Sequence, residues 1–414
     1  MKSVLSADAP PAAANEVPFK SPRRLSPTWA LWLNGLILVT FLAASSAPSP
    51  LYAIYREAWG FSALTLTVVF SSYALAFLAA LLVFGSLSDH RGRREVVLAS
   101  VALELVAVLL FWRADSVGWL LAARVLQGLA TGIATSAVGA GLLDLHRERG
   151  ALVNAVAPMV GLGIGALVTS ALVQFAPAPT QLVFQVLLVV FAILAVAAYY
   201  LPETAPLRPG AWRSLKPSFT IPARARSTMW KILPVNTAQW ALGGFYLSLG
   251  PTLAREVTGS SAPLVGGALI AAMVLGSALA IALMRQRAPQ SALIAGAAAL
   301  AIGIVIAMAG VQLHFTAAFF SGTVIAGLGF GAAFIGSLRS LVPLAAPAER
   351  AGLMSGFFVV SYLAFSIPAI AAGMLVGQFG LQPTTLGYGL VLASMAATAW
   401  LAIRLRGITP ALAG

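Results

Sequence analysis

"GSLSDHRGRREVVL" (residues 85–98) sets an acid, a histidine and three arginines within six positions, between two stretches that are almost wholly apolar. Charge that concentrated does not rest in hydrocarbon, so the stretch reads as a loop joining two membrane spans. The rest of the chain fits that frame. Of its 414 residues, 60% are hydrophobic and 9% are charged, too few charges to coat the surfaces of a soluble chain this long. Lipid is the outer solvent, and the bilayer is the first expected partner.

Only helices or closed barrels satisfy every backbone group inside a bilayer, and a helix needs about 20 apolar residues to cross it. The apolar runs are too long for barrel strands. They predict helices near 28–53, 61–88, 93–113, 117–144, 150–175, 180–201, 229–254, 262–284, 289–312, 315–343, 349–378 and 382–404. Residues 1–27, rich in Pro, Ala and Ser, lack the short apolar core and cleavage site of a secretory signal and read as a disordered cytoplasmic tail. The longest polar connection separates a bundle at 28–202 from one at 229–405, with 203–228 as a central cytoplasmic loop and 406–414 as a second tail.

Placing alternate connections on opposite sides puts 21 of the 25 Lys and Arg on one side and only Arg56, Arg113 and Arg255 on the other, with Arg124 inside a helix. The positive-inside rule then makes both termini cytoplasmic, and the expected location is the cytoplasmic (inner) cell membrane. The net charge of +13 sits in short clusters between apolar runs, a topology signal and not a nucleic-acid surface. Cysteine is absent, and His90, His146 and His314 lie far apart. No metal, cofactor or enzymatic constellation is expected.

The chain repeats itself. Shifted by 199 positions, "GLATGIATSAVGAGLLDL" (128–145) lies over "GLGFGAAFIGSLRSLVPL" (327–344), and Arg56-Glu57 lies over Arg255-Glu256. At 201, "ERGAL" (148–152) meets "ERAGL" (349–353). Such duplication is common in transporters.

With this organisation, the opening stretch resembles the major facilitator superfamily signature G-x-L-x-D-R-x-G-R-K/R between the second and third helices. Gly85, Leu87, Asp89, Gly92, Arg93 and Arg94 match, and His90 stands where the signature has arginine. The resemblance implies an all-α integral membrane fold of twelve transmembrane helices in two pseudo-symmetric six-helix bundles. The residue types also have reasons of their own: Gly85 allows a close helix approach, Gly92 a tight reversal, and Asp89 caps a helix or pairs with Arg93. By resemblance, Asp89 and Arg93 form a cytoplasmic latch between the halves with an acid ending the fourth helix, where Asp144 stands. The plainer reading is a positive-inside anchor. The second-half counterpart, "MRQRAPQ" (284–290), keeps the bases without the acid.

"RVLQGLATG" (124–132) resembles the R-x-x-Q-G pattern of proton-coupled members, and Arg124, Gln127, Gly128, Thr131 and Thr135 share one helix face. "APMVGLGIGALV" (157–168) partly resembles an antiporter signature, with Ala157 in place of a glycine; it reads equally as a bend sealing an interface or as close packing of small residues.

Glu104 and Arg124 are the ionisable residues deep inside predicted spans. A charge near mid-bilayer costs at least about 2.5–3.5 kcal/mol, so such residues are paired or functional. Their depths, about 13 Å and about 10 Å from the same ends of adjacent antiparallel helices, allow them to meet. Glu104 is the candidate proton carrier with Arg124 as its partner; a fixed structural pair is the alternative, and the first helix, where related exporters carry an acid, offers only Asn34.

Asn236, Gln239, Trp240, Gly243 and Tyr246 form a polar-aromatic stripe on the seventh helix. With Asn34, Gln127 and Tyr362 they are candidate substrate contacts, though packing explains them as well. The second half has no acid or base within its predicted spans' centres, which suits lipophilic neutral compounds or weak organic anions. The expected protein is a monomeric secondary transporter that moves a small organic molecule by alternating access, as a proton-coupled exporter. An importer or facilitator of a metabolite such as an organic acid is the second reading, and a transport-inactive membrane sensor a more distant one.

Overall fold

The computed structural model describes residues 24–205, 208–216, 219–346 and 349–408, without the side chains of Arg213, Ser214 and Arg406. Most of the expected tail at 1–27, and residues 409–414 of the second tail, lie outside the described residues. Among the described residues twelve long helices form: α1 Pro27–Ser46, α2 Ala63–Phe84, α3 Arg93–Trp112, α4 Val117–Leu145, α5 Arg147–Phe175, α6 Pro179–Tyr199, α7 Ala223–Ser248, α8 Pro263–Met284, α9 Pro289–Gln312, α10 Thr316–Leu341, α11 Arg350–Phe379 and α12 Leu381–Arg406. Eleven are long and apolar enough to cross a membrane. The twelfth, α7, carries Lys231, Pro234, Asn236 and Gln239, and its residues from Val235 to Ser248 are mostly buried. A helix enclosed by others needs no apolar face for lipid.

Two helices depart from their expected limits because of proline. α1 stops at Ser46 and not near residue 53: Pro48 and Pro50 have no N–H to continue the ladder, and the chain passes through a 3₁₀ turn, Ser49–Leu51, into a short helix, Tyr52–Trp59. α7 begins at Ala223, directly after Pro222, and ends at Ser248, followed by a second short helix, Gly250–Thr258, with Pro251 at its start. Both short helices stop on a left-handed glycine, Gly60 at φ 66° and Gly259 at φ 65°, a conformation without cost only for glycine.

Helices α1 to α6 pack among themselves, as do α7 to α12, and the two sets meet mainly through α5 on α8 and α2 on α11. Under the duplication these are the same contact with partners exchanged. A Cβ on Gly267 would strike Ser170, and one on Gly373 would strike Thr67, while Phe77 stacks on Tyr362 at 4.9 Å. The tightest pair is α9 against α10. Gly296, Gly303 and Gly310 face Ala333, Ala326 and Phe319, and Gly322, Gly329 and Gly336 face Ala307, Leu300 and Leu293. Spaced by seven, these glycines let the backbones touch along the whole crossing, replacing the hydrophobic driving force that lipid removes.

One end of the bundle carries Arg93, Asp144, Arg224 and Arg339 and both ends of the described chain. It is called the basic face below.

Candidate functional site

Three buried residues make the polar centre of the first half. Glu104 on α3 and Arg124 on α4 are 0% exposed, and Gln127, one turn beyond Arg124, is 1% exposed. Arg124 and Glu104 do not touch as a direct ion pair; Gln127 stands between them. Its Oε1 accepts from Arg124 Nη1 at 2.8 Å, and its Nε2 donates to Glu104 Oε1 at 3.1 Å. Gln127 thus sits between the two charges. Helix α1 completes the arrangement, its Ser45 carbonyl accepting from Arg124 Nη1 at 2.8 Å and its Ala44 carbonyl from Gln127 Nε2 at 3.1 Å.

The Arg124 guanidinium is also enclosed by π-faces, lying 4.9 Å from the ring of Tyr73 and 5.6 Å from those of Tyr52 and Phe70. Ring quadrupoles replace part of the hydration that burial removes. Glu104 Oε2 and Arg124 Nε and Nη2 have no hydrogen-bond partner among the described residues. A proton on the carboxylate, or its displacement, would change the balance of such a centre.

The second group belongs to α7, α10 and α11. Trp240 lies among Tyr362 at 5.0 Å, Phe330 and Phe365 at 6.0 Å and Phe334 at 6.2 Å. Asn236 donates to Ser361 Oγ at 3.0 Å and accepts from Gln239 at 3.2 Å, and Tyr246 shares a 3.0 Å bond with Thr323. Trp240 Nε1 and Gln239 Oε1 are buried with no partner among the described residues. The structure therefore brings together Asn236, Gln239, Trp240 and Tyr362. Asn34 stands apart from both groups, bonded to the Ala30 carbonyl of its own helix at 2.9 Å and facing Gly141.

At the basic face, Arg93 pairs with Asp89 at 2.5 Å and with Asp144 at 3.2 Å. All three belong to the first half, and among the described residues no ion pair of Arg93 reaches the second. Gly85 plays a local part: a Cβ there would strike the carbonyl of Leu81 in its own chain, so it closes the end of α2 and does not admit a neighbouring helix. Gly92 does supply the reversal, at φ 95°. Sequence reasoning missed Glu203, whose carboxylate accepts the first amides of α3, Arg93 N at 2.7 Å and Arg94 N at 3.2 Å. An anion at a helix N-terminus satisfies N–H groups that have no helical partner. The signal was present, since Glu203 is the one acid in the basic stretch 202–231. Next to it, Thr204 donates to Asp144 at 3.0 Å, and the His90 carbonyl accepts from Arg208 N at 3.1 Å, so the linker is stitched to the motif loop. The glycines of 157–168 serve close packing: Gly161 and Gly165 face α1, and Gly163 faces Leu275 of α8.

On the opposite face the two short helices meet across the halves. Arg255 approaches Glu57 at 3.4 Å, and Ala53, Arg56, Glu57, Thr252 and Arg255 line a cavity of about 390 Å³.

Comparison with known proteins agrees with this architecture. A family model described as Major Facilitator Superfamily matches residues 33–367. The multidrug transporter MdfA of Yersinia pestis is 32% identical over 134 residues, 30% of this chain and 31% of that protein. The multidrug resistance protein MdtL of Escherichia coli is 26% identical over 203 residues, 47% of this chain and 50% of that protein. The matches thus span from 31% to 50% of the length of those relatives. Among solved structures, a bacterial homologue of the human lysosomal transporter Spinster, in an inward-facing and occupied conformation, superposes with a TM-score of 0.72 at 14% identity, over 92% of this chain and 98% of that one. The nucleoside transporter NupG superposes at 0.68 with 15% identity, over 89% and 99%. At such identities the likeness is one of fold.

Proposed function

Because the chain belongs to the major facilitator superfamily, and so is a multi-pass membrane transporter and not an enzyme, we propose that it is a proton-coupled exporter of small organic molecules. One observation carries the reading: the buried Glu104–Gln127–Arg124 centre, in which a carboxylate with a spare oxygen sits one amide away from a guanidinium with spare N–H groups. A proton taken up by that carboxylate cancels its charge, and the approach of Arg124 or water favours its release. The low-identity likeness to two multidrug proteins supports the outward direction.

In this reading the basic face is cytoplasmic, both termini lie inside a cell membrane, and the protein works as a monomer. Residues 28–202 and 229–405 are the rocking halves and 203–228 their link. Protons flow through the first half. Trp240, Gln239, Asn236, Tyr246 and Tyr362 hold the substrate. Asp89, Arg93, Asp144, Gly85 and Gly92 stabilise the cytoplasmic loop, and Glu203 attaches the linker to it.

The test is accumulation of a panel of lipophilic neutral, acidic and cationic compounds in cells with and without the protein, repeated with an uncoupler. Lower accumulation that the uncoupler abolishes is expected. Differences that persist without the gradient would remove proton drive, and higher accumulation would make the protein an importer.

A further inference from the structure

In a continuous helix the Ala44 carbonyl would accept the N–H of residue 48, but residue 48 is proline and has none. Gln127 of α4 takes up that carbonyl, donating through Nε2 at 3.1 Å, and Arg124 Nη1 takes the next one, Ser45, at 2.8 Å. The same Gln127 nitrogen reaches Glu104 Oε1 at 3.1 Å. Among neutral side chains, only a primary amide offers two N–H groups and an accepting oxygen together, and all three are used here. Glutamate at this position would have no donor for Ala44, and methionine neither donor nor acceptor.

The break at Pro48 and Pro50 leads directly into the short helix Tyr52–Trp59. That helix carries Glu57, which meets Arg255 of the other half, and Ala53, which lines the cavity between them. We propose that Gln127 is a positioning residue of the transport cycle: by holding the carbonyl that Pro48 leaves without a donor, it ties the buried Glu104 to the outer segment of α1 and so to closure of the outer mouth. Its consequence for transport rests on the exchange reading above, but the tie itself is a hydrogen bond and is tested without substrate.

The chain has no cysteine, so Ala53→Cys gives a single thiol in the outer cavity. Its labelling rate by a membrane-impermeant thiol reagent, added from outside to intact cells, reports the opening of the mouth. In that background Gln127→Met should raise the rate about fivefold, the worth of one net hydrogen bond. Pro48→Ala gives Ala44 a helical donor that competes with Gln127, and should raise the rate in the same sense while leaving the charged residues in place. If both act through one bond, the double variant labels no faster than the faster single variant. An unchanged rate in Gln127→Met, or effects that multiply in the double variant, overturns the proposal. Should Gln127→Met fail to fold, Pro48→Ala decides alone, and an unchanged rate there is fatal. Correct labelling with no uncoupler-sensitive flux supports the tie and refutes the exchange reading; normal flux with unchanged labelling refutes the tie alone.

Discussion

Under the shift of 199, the places of Glu104, Arg124 and Gln127 are taken in the second half by Gly303, Thr323 and Ala326. In the first half those positions hold a buried acid and base joined through an amide. In the second half a Cβ on Gly303 would strike the backbone of Ala326, and the two helices close directly. The places of Thr131 and Thr135 are taken by Phe330 and Phe334, which flank Trp240. At these equivalent positions the duplicated scaffold therefore carries buried charge in one copy and phenylalanine rings in the other. In the function proposed above, proton handling and substrate contact would be divided along the same line.

Glu104→Gln is the sharpest way to break that division. The amide keeps a partner for Gln127 and nearly the same volume, so folding should survive, yet it binds no exchangeable proton. Flux driven by a pH gradient in proteoliposomes should fall more than tenfold, with substrate binding in detergent little altered, since a charge change at a coupling site acts on the driven step. Unchanged coupling would remove Glu104 from the mechanism and leave the first half's charges as structural.

Trp240→Ala should do the converse. A ring contact of this kind with a bound substrate is worth roughly 0.5–1.5 kcal/mol, so its loss should weaken apparent substrate affinity by up to about tenfold in KM. The pH dependence of flux should stay that of the unaltered protein. A change in coupling with unaltered KM would show that the halves do not divide their tasks. Trp240→Phe, which retains the ring and removes the N–H, should cost less than Trp240→Ala.

How far these features could be read beforehand depended on the length of the signal. Twelve helices were legible because apolar runs of membrane length are a strong pattern, and α7 was found although its polar residues lower its hydropathy. The ends of α1 and α7 were not legible, since "SSAPSPLY" (45–52) continues in a helical direction after its prolines remove donors. Glu104 and Arg124 stood out as charges in hydrocarbon, but that Gln127 would separate them depends on the relative rotation of α3 and α4, which no single helix encodes. The glycines of α9 and α10 repeat every seven residues in plain view, yet their significance appears only once the two helices are known to cross. Glu203 was hidden for the opposite reason, lying in a linker with no periodicity.

The smallest expected effect concerns the basic face. The repeat lays Glu148 over Glu349, each beside the start of a long helix. Glu349 pairs with Arg224 at 2.5 Å and accepts from Ala346 N at 2.9 Å, whereas Glu148 has no ion pair within 4.0 Å among the described residues. The hydrogen bond from Arg224, and then that from the Ala346 amide, hold the Glu349 carboxyl below its ordinary range. A depressed folded value means the contribution is present above the unfolded value, about 4.3, and is lost as pH falls through the lower folded one. Hydrogen exchange of the amides at 219–226, corrected for intrinsic rate, should therefore stay flat from neutral pH down to about 4.3 and rise as pH falls from there through the lower folded value. Glu349→Gln should show the raised exchange already at neutral pH, by no more than a few-fold because the pair is exposed and screened, and Glu148→Gln should leave the start of α5 as it was. Equal responses at the two sites would mean that the second half's link to α11 is not held by this pair.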